Sequence, residues 1–332
     1  MRLFTAYLYF VNTCSCSPLT EFRDGAWQLL SKQLLPLVVG REFNSPDEMY
    51  PLVSFVRRNR MSKAAINCAL WDLTAKAQGL PLATALGGTK KQVEVGVSIG
   101  VQASPKALVE TVRGYLDTGY RRIKMKIKPG ADYDYLKAVR EEFPNAMLMA
   151  DANSAYRLKD VPLLKKLDEL NLIMIEQPLE PGDLVDHAKL QAVLKTPVCL
   201  DESVTSLEDA RKMVELGSGK IINIKVARVG GLTVAKQIQA FATEHGLQCW
   251  CGGMLDSGVA RAENLAVATL PGYTLPNDIA ASNRYYDLDI IKPTVALNES
   301  YVSVPDRPGI GFEIDWENMR KFGKESLTIT AR

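Results

Sequence analysis

Five consecutive apolar runs in this chain each close on one ionisable residue. They are Lys126 in "RIKMKI", Asp151 in "AMLMAD", Glu176 in "LIMIE", Asp201 in "VCLDE" and Lys225 in "KIINIK", at intervals of 25, 25, 25 and 24 residues. Such an interval is the length of one strand, one helix and their connections, so the five residues take equivalent places on successive strands. The stretches between read as amphipathic helices: "DVPLLKKLDEL", "LVDHAKLQAVL", "LEDARKMVELG" and "LTVAKQIQAFATEHG". In "SPKALVETVRGYLDTGY", Ser104 is placed to cap, Pro105 to sit in the first turn and Gly119 to stop the helix. With "VEVGVSIG" before and "LQCWCGG" after, the chain holds about seven strand–helix units, which favours an α/β fold of the (β/α) barrel type; a doubly wound sheet is the alternative.

The first 90 residues differ. From Ser62, "SKAAINCALWDLTAKAQGLPLATALGG" sets Ile66, Ala69, Leu70, Leu73 and Ala77 on one helical stripe closed by Gly79 and Pro81, which predicts a helical subdomain ahead of the barrel. The tail carries two strand-like pieces, "YVSV" and "LTITA". The expected division is 1–90, 91–285 for the barrel, and 286–332 packing back on the first part.

Lys plus Arg number 40 against 38 Asp plus Glu, and they are scattered, which gives neither a nucleic-acid footprint nor a polybasic membrane patch. No apolar run reaches the ~20 residues that span a bilayer. The opening "MRLFTAYLYFVNTCSCSP" has one Arg ahead of a short apolar run and no clear cleavage site, so a secretory signal is not expected. Six cysteines, Cys14, Cys16, Cys68, Cys199, Cys249 and Cys251, are too dispersed for a disulfide framework, and a cytoplasmic protein with reduced thiols is expected. Alternation puts Cys249 and Cys251 on one strand face, where small buried hydrophobes serve as well as zinc ligands. His187 and His245 lack a ligand's spacing.

A barrel does its chemistry at the C-terminal ends of its strands, so the five residues converge at one mouth. Three carboxylates brought together repel unless a cation joins them. Asp151, Glu176 and Asp201, with no convergent His or Cys, specify oxygen ligation and hence Mg²⁺, with Mn²⁺ as a substitute. A helix cap is the other role open to Asp151 or Asp201 singly. Lys126 and Lys225 flank the triad in strand order and can approach a ligand from opposite faces. An ammonium near a divalent cation is pushed toward the neutral amine that a base requires. The reaction class is abstraction of a proton α to a carboxylate. In "RRIKMKIKPG", alternation puts Lys124 on the face of Lys126 one pleat deeper, and Lys128 beyond the strand end.

Together with "DANSAY", "IEQPLE", "LDES", "NIKVARVGG", "CGGMLDSG" and "ALWDLTAKAQGLPL", these residues resemble the enolase superfamily in its muconate-lactonising subgroup. The likeness is greatest to the group that joins o-succinylbenzoate synthases with N-succinylamino acid racemases. Lysine bases beside Mg²⁺ are a recognised pattern of that superfamily. The resemblance implies a modified (β/α)₇β barrel with an α+β capping domain built from both chain ends. By position it implies Asp151, Glu176 and Asp201 as metal ligands, Lys126 as base and Lys225 as its opposite-face partner. Lys124, Asn153 and Glu202 would support them, and Ser98, Gly253 and Met254 would line the substrate pocket. Arg228 stands where racemising relatives carry Arg; an ordinary ion pair is its other reading. The implied activity is dehydration of 2-succinyl-6-hydroxy-2,4-cyclohexadiene-1-carboxylate to o-succinylbenzoate, a step of menaquinone biosynthesis. The alternatives are N-acylamino acid racemisation, alone or alongside it, and dipeptide epimerisation. The expected partners are a small-molecule carboxylate and further copies of the chain.

Relatives carry a longer leading segment, which forms the first strands of the cap and a loop that closes over the substrate. Here "MRLFTAYLYFVNTCSCSPLTEF" stands in that place and matches poorly before Pro18. An incomplete cap would weaken exclusion of water and substrate selection, leaving a metal-binding remnant of low activity as the third reading.

Overall fold

The computed structural model describes residues 21–323 and 326–329. Cys14, Cys16 and most of the leading segment lie outside the described residues. At the centre are seven parallel strands: β1 (Val97–Ile99), β2 (Arg122–Lys126), β3 (Met147–Asp151), β4 (Ile175–Glu176), β5 (Val198–Leu200), β6 (Ile221–Ile224) and β7 (Gln248–Cys251). Each neighbours the next in sequence, without the reversal of order that defines a doubly wound sheet. The segment 273–278 closes the ring. On one side the amides of Thr274 and Asp278 donate to the carbonyls of Cys249 (3.1 Å) and Cys251 (2.9 Å). On the other, the Asn277 amide donates to Glu94 (2.9 Å) and its carbonyl accepts from Gly96 (2.8 Å). Through isolated parallel bridges at Tyr273 and Asn277, this segment takes the eighth place in the (β/α)₇β barrel that the resemblance implied.

"VEVGVSIG" is two strands rather than one. Gln92–Glu94 pairs antiparallel with Tyr301–Ser303, whereas Val97–Ile99 enters the barrel. The break falls at Gly96, where a Cβ would lie 2.3 Å from Nε of the buried Arg122, so only glycine lets the chain pass. "LTITA" is corrected: residues 327–329 join no strand, and 330–331 lie outside the described residues.

Alternation along β2 sorts its side chains as the sequence predicts. Ile123 and Met125 join the large cluster between barrel and helices. Arg122 and Lys124 point inward, where Lys124 Nζ lies 4.8 Å from the centre of the Trp250 ring and the Arg122 guanidinium 5.2 Å from it. Met149, Met174, Cys199, Ile221 and Trp250 fill the barrel interior below the mouth. Each such side chain contributes roughly 1.5–3 kcal/mol by leaving water. Two of the surrounding helices start on serine caps: Ser104 Oγ accepts from the Ala107 amide (3.2 Å) at Pro105–Asp117, and Ser206 Oγ from the Asp209 amide (3.2 Å) at Leu207–Leu216. Gly119 ends the first with φ +98°.

Before the barrel, the helix Arg60–Ala77 is buried on two sides. Ile66 and Leu70 pack with Leu30, Leu34, Val38, Met49 and Val53, while Cys68 and Ala75 join the barrel cluster. Asn59, at φ +55°, provides no cap, and the Glu21 carboxylate accepts from the amides of Met61 (2.7 Å) and Ser62 (3.2 Å) instead. The C-terminal part returns here: Gly309 exchanges backbone hydrogen bonds with Leu82 (2.7 Å) and Leu80 (2.9 Å), and the Ile310 amide donates to Asp72 (2.7 Å). No helix among the described residues is long and apolar enough to cross a membrane.

Candidate active site

Strand register carries Lys126, Asp151 and Glu176 to neighbouring positions on β2, β3 and β4. Asp201 and Lys225 follow the last residues of β5 and β6. All three carboxylates are buried. Lys126 Nζ lies 2.6 Å from Asp151 Oδ2 and also donates to Asn153 Oδ1. Across the mouth, Lys225 Nζ lies 2.8 Å from Asp201 Oδ2, and Arg228 pairs with Asp201 Oδ1. Deeper, Lys124 Nζ stands 3.2 Å from Glu176 Oε2, 3.4 Å from Asp151 Oδ2 and 2.6 Å from Asp278 Oδ2. Asn153 Nδ2 donates to Glu202 Oε1 (3.2 Å), and Glu202 Oε2 is buried with no partner among the described residues. Asp151 Oδ1 also accepts from the Asn153 amide (3.1 Å), so a turn-capping role coexists with the ion pair.

Burial alone would raise the Asp151 carboxyl, but Lys126 and then Lys124 hold it well below the usual carboxylate range. Glu176 goes the other way, raised by burial and then by the Asp151 charge, and Glu202 is raised chiefly by burial. Burial would lower Lys124, yet Asp278, Glu176 and Asp151 together push it above its ordinary value, so it remains an ammonium. Each of Asp151, Glu176 and Asp201 is paired with a cationic side chain, and among the described residues no three carboxylates stand ready as a cage. The donor set nonetheless fits a hard divalent cation: oxygen only, buried, with the unpartnered Glu202 oxygen alongside.

Four supporting residues escaped the sequence reading. Arg122 donates to Asp278 and to the Pro276 carbonyl (3.2 Å). Asn223, two residues before Lys225 on the same strand face, donates to Glu176 Oε1 (2.6 Å). Gln177 accepts from the amides of Asp201 (3.0 Å) and Ser203 (3.2 Å), fixing the turn after β5. Period-two alternation would have found Arg122 and Asn223; Asp278 and Gln177 had no such signal. Ser98 pairs in register with Lys124, but its side chain makes no hydrogen bond to the cluster. A Cβ on Gly253 would fall 2.2 Å from the Asp278 carbonyl oxygen, so this glycine permits a close backbone approach. The Met254 amide donates to Asp256 (2.8 Å). Lys128 is exposed. His187 is buried and satisfied by the Leu179 amide (3.1 Å) and the Asp183 carbonyl, and Cys249 and Cys251 are free thiols buried in one cluster.

Residues 107–318 match the family model described as "Enolase C-terminal domain-like", and residues 14–87 match "Mandelate racemase / muconate lactonizing enzyme, N-terminal domain". An o-succinylbenzoate synthase from Geobacillus stearothermophilus is 51% identical over 89% of this chain and 79% of its own. An N-succinylamino acid racemase from Thermus thermophilus is 49% identical over 87% of this chain and 79% of its own. A solved enolase-superfamily structure from Listeria innocua superposes with a TM-score of 0.89 at 44% identity, covering 92% of this chain and 82% of that one. On these matches and the barrel that carries the five residues, the chain belongs to the enolase superfamily, in its mandelate racemase and muconate lactonizing group.

Proposed function

We propose that the protein is an o-succinylbenzoate synthase, a carbon–oxygen lyase that dehydrates 2-succinyl-6-hydroxy-2,4-cyclohexadiene-1-carboxylate. The observation that carries this reading is the placement of Lys126 and Lys225 on opposite flanks of three buried carboxylates. The half-identical synthase relatives support it. Asp151, Glu176 and Asp201 would hold Mg²⁺, or Mn²⁺ in its place. The bound ion would supply positive charge that favours ionisation next to the substrate carboxylate. Lys126 takes the α proton, and Lys225, as an ammonium on the opposite face, stabilises the resulting enediolate. Lys126 then returns its proton to the departing hydroxyl on its own face, so that water leaves and the ring becomes aromatic. Lys124, locked by three carboxylates, adds a fixed positive charge beneath the site. Ser98, Gly253 and Met254 line the pocket in this reading. Turnover should fall at least about 10²-fold in Lys126→Ala while circular dichroism is unchanged; a full rate would sink the mechanism.

The two-sided placement equally suits racemisation of N-succinylamino acids, with Lys126 and Lys225 exchanging base and acid roles. The Arg228–Asp201 pair next to Lys225 and the Thermus relative favour this as a second activity. Deuterium incorporation into N-succinylamino acids without dehydration of the cyclohexadiene would make racemisation the primary one.

A further inference from the structure

The two lysines are held by different parts of the molecule. Lys126 is held by the barrel itself: its ammonium meets Asp151, and the following amide, Ile127, donates to the Asp151 carbonyl (2.8 Å). Lys225 begins a single tight turn, the helix Val226–Val229, which ends in Gly230 and Gly231. Within it the Lys225 carbonyl accepts from Val229 (3.1 Å) and the Val226 carbonyl from Gly231 (2.9 Å). The far end of that turn is gripped from outside the barrel. Asn67, buried on the helix Arg60–Ala77, accepts from the Thr233 amide (3.1 Å) and donates to Thr233 Oγ1 (3.0 Å). Trp71 Nε1 donates to the same oxygen (2.8 Å), and that hydroxyl donates to Asp47 Oδ1 (2.6 Å). Tyr50 Oη donates to the Gly230 carbonyl (2.8 Å). Gly231 lies at φ +123°, and a Cβ there would sit 2.5 Å from Asn67 Oδ1, so the glycine is what lets the two segments touch.

We propose that Thr233, clamped by Asn67, Trp71 and Asp47, is a positioning residue for Lys225, through which docking of the N-terminal helical part sets the proton-transfer geometry on one face of the substrate only. The inference rests on the proposed two-lysine chemistry. A hydroxyl satisfied by two donors and one acceptor has no slack. Loosening it lets the turn shift, and displacements of about 1 Å at a reacting group cost up to about 10²-fold in rate. Lys126, tied to β2 and β3, does not feel the change. Loosened docking therefore biases the enzyme away from two-base racemisation and toward one-base chemistry.

The test uses the full-length protein with Mg²⁺ and the variants Thr233→Val and Trp71→Phe, with Lys126→Ala and Lys225→Ala as references. Deuterium exchange from each enantiomer of an N-succinylamino acid is followed by NMR, and backbone amide exchange by mass spectrometry. In Thr233→Val, exchange from the enantiomer that Lys225→Ala silences should fall about tenfold or more, with the other within about twofold. Amides of 226–231 should exchange about tenfold faster and those of 149–153 at unchanged rates. Trp71→Phe should move both readouts the same way by less. Equal loss from both enantiomers, or unaltered amide exchange at 226–231, overturns the proposal. If Lys225→Ala spares both enantiomers, or neither exchanges in the unaltered protein, the two-lysine reading fails, and the amide measurement alone decides whether the clamp holds the turn.

Discussion

Replacing Asp278 by Asn removes the carboxylate that meets both Arg122 and Lys124 inside the barrel. Lys124 would keep Glu176 at 3.2 Å and Asp151 at 3.4 Å, so most of the penalty falls on Arg122. That guanidinium is 1% exposed; its Nε and Nη1 have no acceptor, and its remaining hydrogen bond would be to the Pro276 carbonyl. Removing one partner of a buried ion pair typically costs about 3–5 kcal/mol, against little for replacing both by apolar groups. The Trp250 face under Arg122 returns a fraction of that, so a loss near the lower end, about 3 kcal/mol, is expected. At ordinary urea slopes the midpoint would drop by about 1 M or more, read from tryptophan fluorescence with unfolding and refolding curves superposed. Arg122→Met in the Asp278→Asn background should recover much of the loss.

The same pair has a pH signature. Burial would raise the Asp278 carboxyl, but Arg122 and then Lys124 depress it below the ordinary range. A depressed carboxyl contributes stability that is fully present above its unfolded value, about pH 4, and lost as pH falls through the folded value. The gap between unaltered protein and Asp278→Asn should therefore be widest near neutrality and narrow on acidification below about pH 4. A loss under about 1 kcal/mol at pH 7, or a gap that widens in acid, would show that Arg122 does not depend on Asp278 for its charge.

Lys225→Ala should abolish racemisation and lower dehydration by about 10²-fold or more, measured as steady-state rates at unchanged secondary structure. Mg²⁺ at a hundred times its dissociation constant should stabilise the chelator-treated protein by about 2.7 kcal/mol in thermal unfolding, and Asp201→Asn should erase that shift. Gly253→Ala puts a Cβ 2.2 Å from the Asp278 carbonyl oxygen and should destabilise by roughly 1–3 kcal/mol; an unaltered melting temperature would show that the backbone yields freely.

The strand-end residues were legible because interior side chains at the barrel mouth repeat once per strand–helix unit, and charge at an apolar run's end is conspicuous. Lys124 was legible from alternation alone. Asp278 was not: it lies 156 residues from Arg122, in a closing segment held by isolated bridges and too short to show a period, amid the unremarkable "LPNDIA". "LTITA" misled for the opposite reason, since β-branched residues state a preference that only a pairing partner can realise. The break in "VEVGVSIG" required knowing that Arg122 would fill the space beside Gly96. Asp278 and Gln177 were missed because their partners are distant in sequence, which local pattern does not encode.

Two lysines two residues apart thus end with unlike properties, and the barrel explains the division. Lys124 has a side chain 5% exposed, over the Trp250 ring, among Asp278, Glu176 and Asp151. Three carboxylates raise its pKa against burial, which favours the ammonium form. Lys126, one pleat higher, has a side chain 31% exposed and, among the described residues, meets only Asp151 and the neutral Asn153 oxygen. Asp151 is thus the one carboxylate among the described residues that meets Lys126, whereas Lys124 also has Glu176 and Asp278. Asp278 is what makes that separation possible, because without it both lysines would lean on Asp151, with Glu176 the one further carboxylate beside Lys124.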